Sequence, residues 1–264
     1  MSHRDIARNV RGAAAKEFIK VLQRLSYSRS RWEVFADWTV LAAAALYNGA
    51  HTDQSVEDEY LETIKRYKGE EQQLIASLLA LAMEGLEEGL SDFLGTVYEG
   101  AELSNAGHGQ FFTPYDISKM LAQVSLPEEF PEHRIITIYD PCSGAGGMAV
   151  AACEVMGERG FDWQRKACFT LLDIDPVCFR MSYIQLSLIG ASGVVILGDT
   201  LALEERRVWT TPVFEYTFMR PRLDAQRRRD RQIQPDAQLP RPRDFVVLEK
   251  VAGPQLDLFV KEEA

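Results

Sequence analysis

Eight consecutive residues, Asp140-Pro141-Cys142-Ser143-Gly144-Ala145-Gly146-Gly147, place a carboxylate, two small polar side chains and three glycines in front of a run of small apolar residues. Glycines let a backbone turn sharply and let a ligand approach it closely, and a helix that starts there offers free N–H groups. The spacing is not G-x-G-x-x-G, so a dinucleotide fingerprint is not the match; a plain strand-to-helix turn is the bland use of such a segment. Two further carboxylates, Asp173 and Asp199, close short apolar runs rich in β-branched or aliphatic residues. Ligands of open α/β sheets sit beyond the carboxyl ends of the strands. There one acid can accept from both ribose hydroxyls and another from an adenine amino group. Singly, each aspartate reads equally well as a solvated strand end; together with the glycine turn they predict a site for a nucleoside-like ligand.

Those residues need strands and helices in a fixed order. The period-two or continuous apolar runs at 135–140, 168–173 and 194–197 predict three strands. The small-residue segment 147–157 and the segment 176–190, which opens on Pro176 and closes on Gly190, predict the helices between them. Strand, helix, strand, helix, strand implies a parallel sheet covered on both faces, half of a doubly wound α/β fold. Upstream, residues 6–100 repeat apolar positions at three and four (Phe18, Val21, Leu22, Leu25; Phe35, Trp38, Leu41, Ala42, Ala45), with Asn48-Gly49 and Lys68-Gly69 as stops. Four to five bundled helices are expected there, Ser30 capping the second and Thr52 or Asp53 the third. Downstream, residues 220–243 carry arginine, glutamine and four prolines with few large apolar groups, the composition of a flexible linker. Phe245-Val246-Val247-Leu248 reads as one last strand. The expected organisation is therefore a helical region over 1–104, a Rossmann-like ligand-binding region with a truncated sheet over 105–219, and a basic linker and tail over 220–264.

The net charge of −10 argues against a surface that grips nucleic acid everywhere. The balance is local: residues 206–243 hold ten arginines against four acids, and Arg227-Arg228-Arg229-Asp230-Arg231 could meet phosphates or simply solvate a linker. Cys142, Cys153, Cys168 and Cys178 show no C-x-x-C pair and no adjacent histidine, so reduced thiols and no metal site are expected. No apolar run approaches the ~20 residues of a membrane span, and no apolar segment follows Met1 to act as a secretion signal; a cytoplasmic location is the expectation.

Gly109-Gln110-Phe111-Phe112-Thr113-Pro114, followed some way downstream by Asp140-Pro141-Cys142-Ser143-Gly144-Ala145-Gly146-Gly147, resembles the S-adenosylmethionine region of adenine-N6 DNA methyltransferases related to the modification subunit of type I restriction systems. The resemblance implies a helical N-terminal part and a Rossmann-like catalytic part. It implies Phe112, Thr113 and Pro114 at the methionine end of S-adenosylmethionine, with Asp140, Cys142, Gly144 and Gly146 around it. Asp173 then takes the ribose and Asp199 the adenine, while Asp175 helps start the next helix. The departure is at the base-binding tetrapeptide Asn-Pro-Pro-Phe/Tyr, which is absent; the nearest segment after the fourth strand is Thr210-Thr211-Pro212-Val213-Phe214. Thr211, Pro212 and Phe214 are thus the expected catalytic residues, Phe214 stacking on a flipped adenine. Two functions follow: DNA adenine-N6 methylation, or a catalytically degenerate, cofactor-binding relative that acts as a DNA- or clamp-binding decoy or regulator. Gln255-Leu256-Asp257-Leu258-Phe259 resembles the peptide by which bacterial proteins dock on the DNA sliding clamp. DNA, the clamp and a further subunit or second copy are the implied partners.

Overall fold

The computed structural model describes residues 12–103, 112–233 and 246–247. Five helices come first: α1 (Ala13–Leu25), α2 (Arg31–Asn48), α3 (Gln54–Ile64), α4 (Glu70–Glu87) and α5 (Phe93–Gly100). Their starts follow from side chains that replace missing backbone partners. Ser30 accepts from the Glu33 N–H, Asp53 from those of Ser55 and Val56, and Asp92 from that of Gly95. The apolar spacing read from the sequence becomes an aromatic core in which Phe18 meets Trp38 at 4.9 Å and Phe93 at 5.9 Å, both edge to face.

Then follow α6 (Tyr115–Ser125), β1 (Ile136–Asp140), α7 (Gly147–Glu158), the short α8 (Trp163–Lys166), β2 (Ala167–Asp173), α9 (Pro176–Ile189), β3 (Gly193–Asp199) and β4 (Glu204–Thr210). Helix α9 starts as the sequence predicts: Asp175 accepts from Val177 N and Cys178 N, Pro176 fills the first turn, and Gly190 closes it at φ 74°. Among the described residues the chain continues with α10 (Pro212–Tyr216), α11 (Met219–Ile233) and the two-residue β5 (Val246–Val247).

The sheet order is β4-β3-β2-β1-β5. β1 pairs parallel with β2 and β5, and β2 parallel with β3, as a doubly wound arrangement requires. β4 departs from the all-parallel expectation. It returns antiparallel along β3, pairing Val194 with Thr210 and Asp199 with Glu204; only four residues separate the two strands, too few for the crossover that a parallel neighbour needs. Among the described residues the sheet has five strands, in line with the expected truncation.

Helix α11 corrects the linker reading of residues 220–233. Pro221 lies in the first turn, where a missing N–H costs nothing, and leucine, alanine, glutamine and arginine favour helix. One side is anchored: Met219 is fully buried, Gln226 both accepts from Ile135 N and donates to Ile135 O, and Arg134 pairs with Asp230 at 2.7 Å. Counting large apolar groups overlooked that anchoring. Residues 234–243, the rest of the expected linker, lie outside the described ones.

One buried cluster runs from Ala14 of α1 through the sheet to Trp209 of β4. Helix α2 joins the halves: Thr39 accepts from Arg180 Nε of α9 at 3.1 Å, and Tyr47 stacks on Trp209 at 4.6 Å. Among the described residues no helix is long and apolar enough to cross a membrane.

Candidate functional site

Because β1, β2 and β3 are parallel, their carboxyl-terminal residues Asp140, Asp173 and Asp199 emerge at one edge of the sheet, where a cleft of about 420 Å³ opens. The glycine turn forms its floor. Gly144 and Gly146 have φ of 55° and 90°, a region that side chains with a Cβ disfavour. Helix α9 clamps the turn from behind: Ser182 Oγ donates to Gly144 O at 2.8 Å, and Gln185 Nε2 donates to Ala145 O at 2.6 Å. A Cβ on Gly146 would stand 3.2 Å from Ser182 Cα. Gly146→Ala is therefore expected to cost about 1–2 kcal/mol of stability for the left-handed backbone alone, read as a lowered Tm, and to misplace the turn.

Asp173 ties the second strand to that turn. Its Oδ2 accepts from Gly144 N at 2.8 Å and its Oδ1 from Asp175 N at 2.9 Å. Burial raises its pKa, against the opposing effect of the N–H groups that solvate the carboxylate. Asp140 is buried and accepts from Cys142 N at 3.1 Å. Asp199 Oδ1 accepts from Leu201 N and Ala202 N, and Thr200 Oγ1 donates to Pro141 O at 2.6 Å, joining the third strand's end to the first's. Phe112 lies over Gly144, where a Cβ would meet its ring at 3.0 Å, and packs edge to face on Tyr98 at 5.1 Å.

Six residues named from sequence line the cleft: Phe112, Thr113, Cys142, Gly144, Asp173 and Asp199. Three do not line it. Asp140 is buried and bonded to the loop through Cys142 N, Gly146 caps α7 in the left-handed conformation, and Pro114 is an exposed residue at the start of α6. Residues 108–111, which precede Phe112, lie outside the described residues. The sequence reading missed Asp92 and Ser118, both buried and both on the cleft wall. Asp92 does carry a local signature, an acid just before the apolar pair Phe93-Leu94, but only the packing of α5 on α7 and α9 brings it to the cleft.

The expected catalytic segment is elsewhere. Since β4 runs antiparallel to β3, it delivers Thr211 to the beginning of β3: Thr211 N donates to Gly193 O at 2.9 Å, and its hydroxyl accepts from Gly193 N and donates to Ala191 O. Pro212 opens α10, and Phe214 is buried with Ile135, Cys168 and Met219 at the start of β1. The cleft lies where these strands end, about 20 Å away at roughly 3.3 Å per residue along β3. Thr211, Pro212 and Phe214 therefore do not line the cleft. The strand that does run toward the cleft beside β1 is β5, pairing Ile138 with Val246 and Tyr139 with Val247. The sequence after it, Leu248-Glu249-Lys250-Val251, carries no Asn-Pro-Pro and lies outside the described residues.

The methylase subunit of the type I restriction enzyme MjaIX from Methanocaldococcus jannaschii is 27% identical over 121 residues, 44% of this chain and 20% of that protein. The MpnII methylase subunit from Mycoplasma pneumoniae is 26% identical over 119 residues, 43% of this chain and 21% of that one. The chain thus matches about a fifth of the length of these curated relatives. Among solved structures, a putative class I S-adenosylmethionine-dependent methyltransferase from Listeria monocytogenes aligns over 71% of this chain and 54% of its own, with TM-score 0.43 and 18% identity. A type I restriction-modification methyltransferase subunit from Streptococcus thermophilus aligns over 72% and 57%, with TM-score 0.36 and 12% identity. The model of the family described as N-6 DNA Methylase matches residues 90–240, from the turn before α5 past the end of α11. The chain belongs to the N-6 DNA methylase family.

Proposed function

We propose that this chain holds S-adenosylmethionine in the cleft at the carboxyl ends of β1, β2 and β3 and serves methyl transfer to the N6 amino group of a flipped adenine in DNA. S-adenosylmethionine is the cofactor that goes with the family, and it supplies an electrophilic methyl group on a sulfonium. The observation that carries the reading is the convergence, in one cleft, of the glycine turn with Asp173 and Asp199. The cleft residues fit the group. Asp173, already held by two N–H donors, keeps oxygen lone pairs for ribose hydroxyls. Asp199 lies beside the exposed Leu201, and Ile174 and Leu201 give the cleft mouth apolar surface for a flat base. Phe112 and Thr113 close the other wall. In such a transfer the protein's part is to position and to exclude water, and no side-chain nucleophile is required.

A second reading has its own observation. Among the described residues no asparagine lines the cleft, and the proline-aromatic segment that was to replace the family tetrapeptide sits at the far end of the sheet. A chain that binds the cofactor without transferring its methyl group, and acts through DNA or a protein partner, would look the same. Arg227, Arg228, Arg229 and Arg231 on the exposed side of α11 are the phosphate-contacting residues under either reading. The clamp-binding peptide, residues 255–259, lies outside the described residues and remains a proposal, as do a partner subunit and self-association. Incubation with methyl-labelled S-adenosylmethionine and unmethylated DNA separates the two. Label in N6-methyladenine is expected for the first reading; saturable cofactor binding with no label in any base, in the presence of a type I partner subunit as well, supports the second.

A further inference from the structure

Two groups in the cleft are costly as they stand. Asp92 is 5% exposed, yet among the described residues no lysine, arginine or histidine pairs with it. Its Oδ1 accepts from Gly95 N at 2.9 Å and from Gln185 Nε2 at 2.8 Å. Its Oδ2 packs on the first residue of α7, where a Cβ on Gly147 would stand 2.7 Å away. Capping α5 does not explain a charge there, since a neutral asparagine or serine caps as well. A buried carboxylate without a cation is unfavourable, and burial pushes the Asp92 carboxyl above the usual carboxylate range. Ser118 of α6 is 1% exposed, and its Oγ has no hydrogen-bond partner among the described residues. Both residues line the cleft beside the start of α7, whose cap, Gly146, offers no side chain to the helix's first N–H groups.

A buried carboxylate with no cation paired to it among the described residues, a hydroxyl with no hydrogen-bond partner among them and a helix N-terminus, side by side, are complementary to one chemical group, an α-amino acid head. We propose that Asp92 and Ser118 seat the amino-acid end of the cofactor, Asp92 facing its α-ammonium and Ser118 donating to its α-carboxylate at the N-terminus of α7. The proposal rests on the cofactor reading above and extends it to α5, an element of the helical N-terminal part. Gln185 links the pieces: its side chain donates to Asp92 Oδ1 and to Ala145 O and accepts from Leu94 N at 3.1 Å, so the seat and the glycine turn are held by one buried amide. Asp92 and Ser118 are binding residues in this account, and neither takes part in bond making.

The test compares ligands that differ only in that head. S-adenosylmethionine and S-adenosylhomocysteine carry it, and 5′-methylthioadenosine lacks it. Calorimetric titration of the full chain is expected to show that Asp92→Asn weakens the first two about tenfold and Ser118→Ala about threefold, with 5′-methylthioadenosine unchanged. Asp92→Asn keeps the cap, so the unliganded Tm is expected not to fall. Equal losses for all three ligands would mean that Asp92 acts only through the fold, and unchanged affinities for all three would remove the seat; either result overturns the proposal. The wild-type chain keeps the two ideas apart: if it fails to bind S-adenosylmethionine, the cofactor reading falls first and the proposal with it. If it binds and Asp92→Asn has no effect, only the proposal falls.

Discussion

Asp173→Ala is expected to weaken S-adenosylmethionine binding by about tenfold to a hundredfold, the loss that corresponds to roughly 1.5–3 kcal/mol for hydrogen bonds to a charged acceptor. The variant loses the ribose acceptor and also frees Gly144 N from its 2.8 Å bond, so the glycine turn loses one of its ties. Both effects act on the bound state in the same direction. The wild-type affinity also gains a pH dependence with a definite sign. Burial raises the Asp173 pKa in the folded chain, so as pH falls through that raised value the acceptor becomes protonated and cofactor affinity drops, while the alanine variant lacks this contribution. For stability the sign is opposite: a carboxyl whose folded pKa lies above its unfolded value favours folding less as pH rises through that window. Removing the charge therefore partly offsets the lost Gly144 and Asp175 contacts, and the variant is expected to remain folded by circular dichroism. Titration calorimetry across pH checks all of this; an Asp173→Ala chain that binds as tightly as wild type removes the ribose assignment.

Thr211→Ala is expected to do the reverse, lowering stability by about 2–3 kcal/mol and leaving cofactor affinity unchanged. The Thr211 hydroxyl is wholly buried, donates to Ala191 O at 2.7 Å and accepts from Gly193 N at 3.0 Å. Alanine would leave a buried carbonyl and a buried N–H without that partner, each carrying a desolvation cost of about 1–3 kcal/mol, part of which local relaxation recovers. The measurement is a denaturant midpoint beside a cofactor titration. If this threonine instead stood in for the family's base-binding asparagine, its loss would reduce methyl transfer with little effect on the midpoint. That pattern would contradict its position at the beginning of β3.

The contrast between these residues shows what local sequence could reveal. Asp173 was legible because strand type, glycine turn and strand-end carboxylate are all local features, and parallel pairing follows from the helices between the strands. The caps at Ser30, Asp53 and Asp175 were legible for the same reason. The position of Thr211 was not legible because it depends on strand direction: a short link makes β4 antiparallel, and that reverses which end of the sheet its last residue reaches. Helix α11 was misread because its anchors, Gln226 on Ile135 and Asp230 on Arg134, are 91 and 96 residues away in sequence. Asp92 and Ser118 were invisible as site residues for a related reason. Nothing near them in sequence shows that α5 and α6 meet the first turn of α7.

Equilibrium titration of the full wild-type chain with S-adenosylmethionine tests most directly whether the cleft is the site of that cofactor. Saturable binding at one site per chain, displaced by S-adenosylhomocysteine, is the predicted result. No binding up to millimolar ligand, or binding that S-adenosylhomocysteine does not displace, would contradict it.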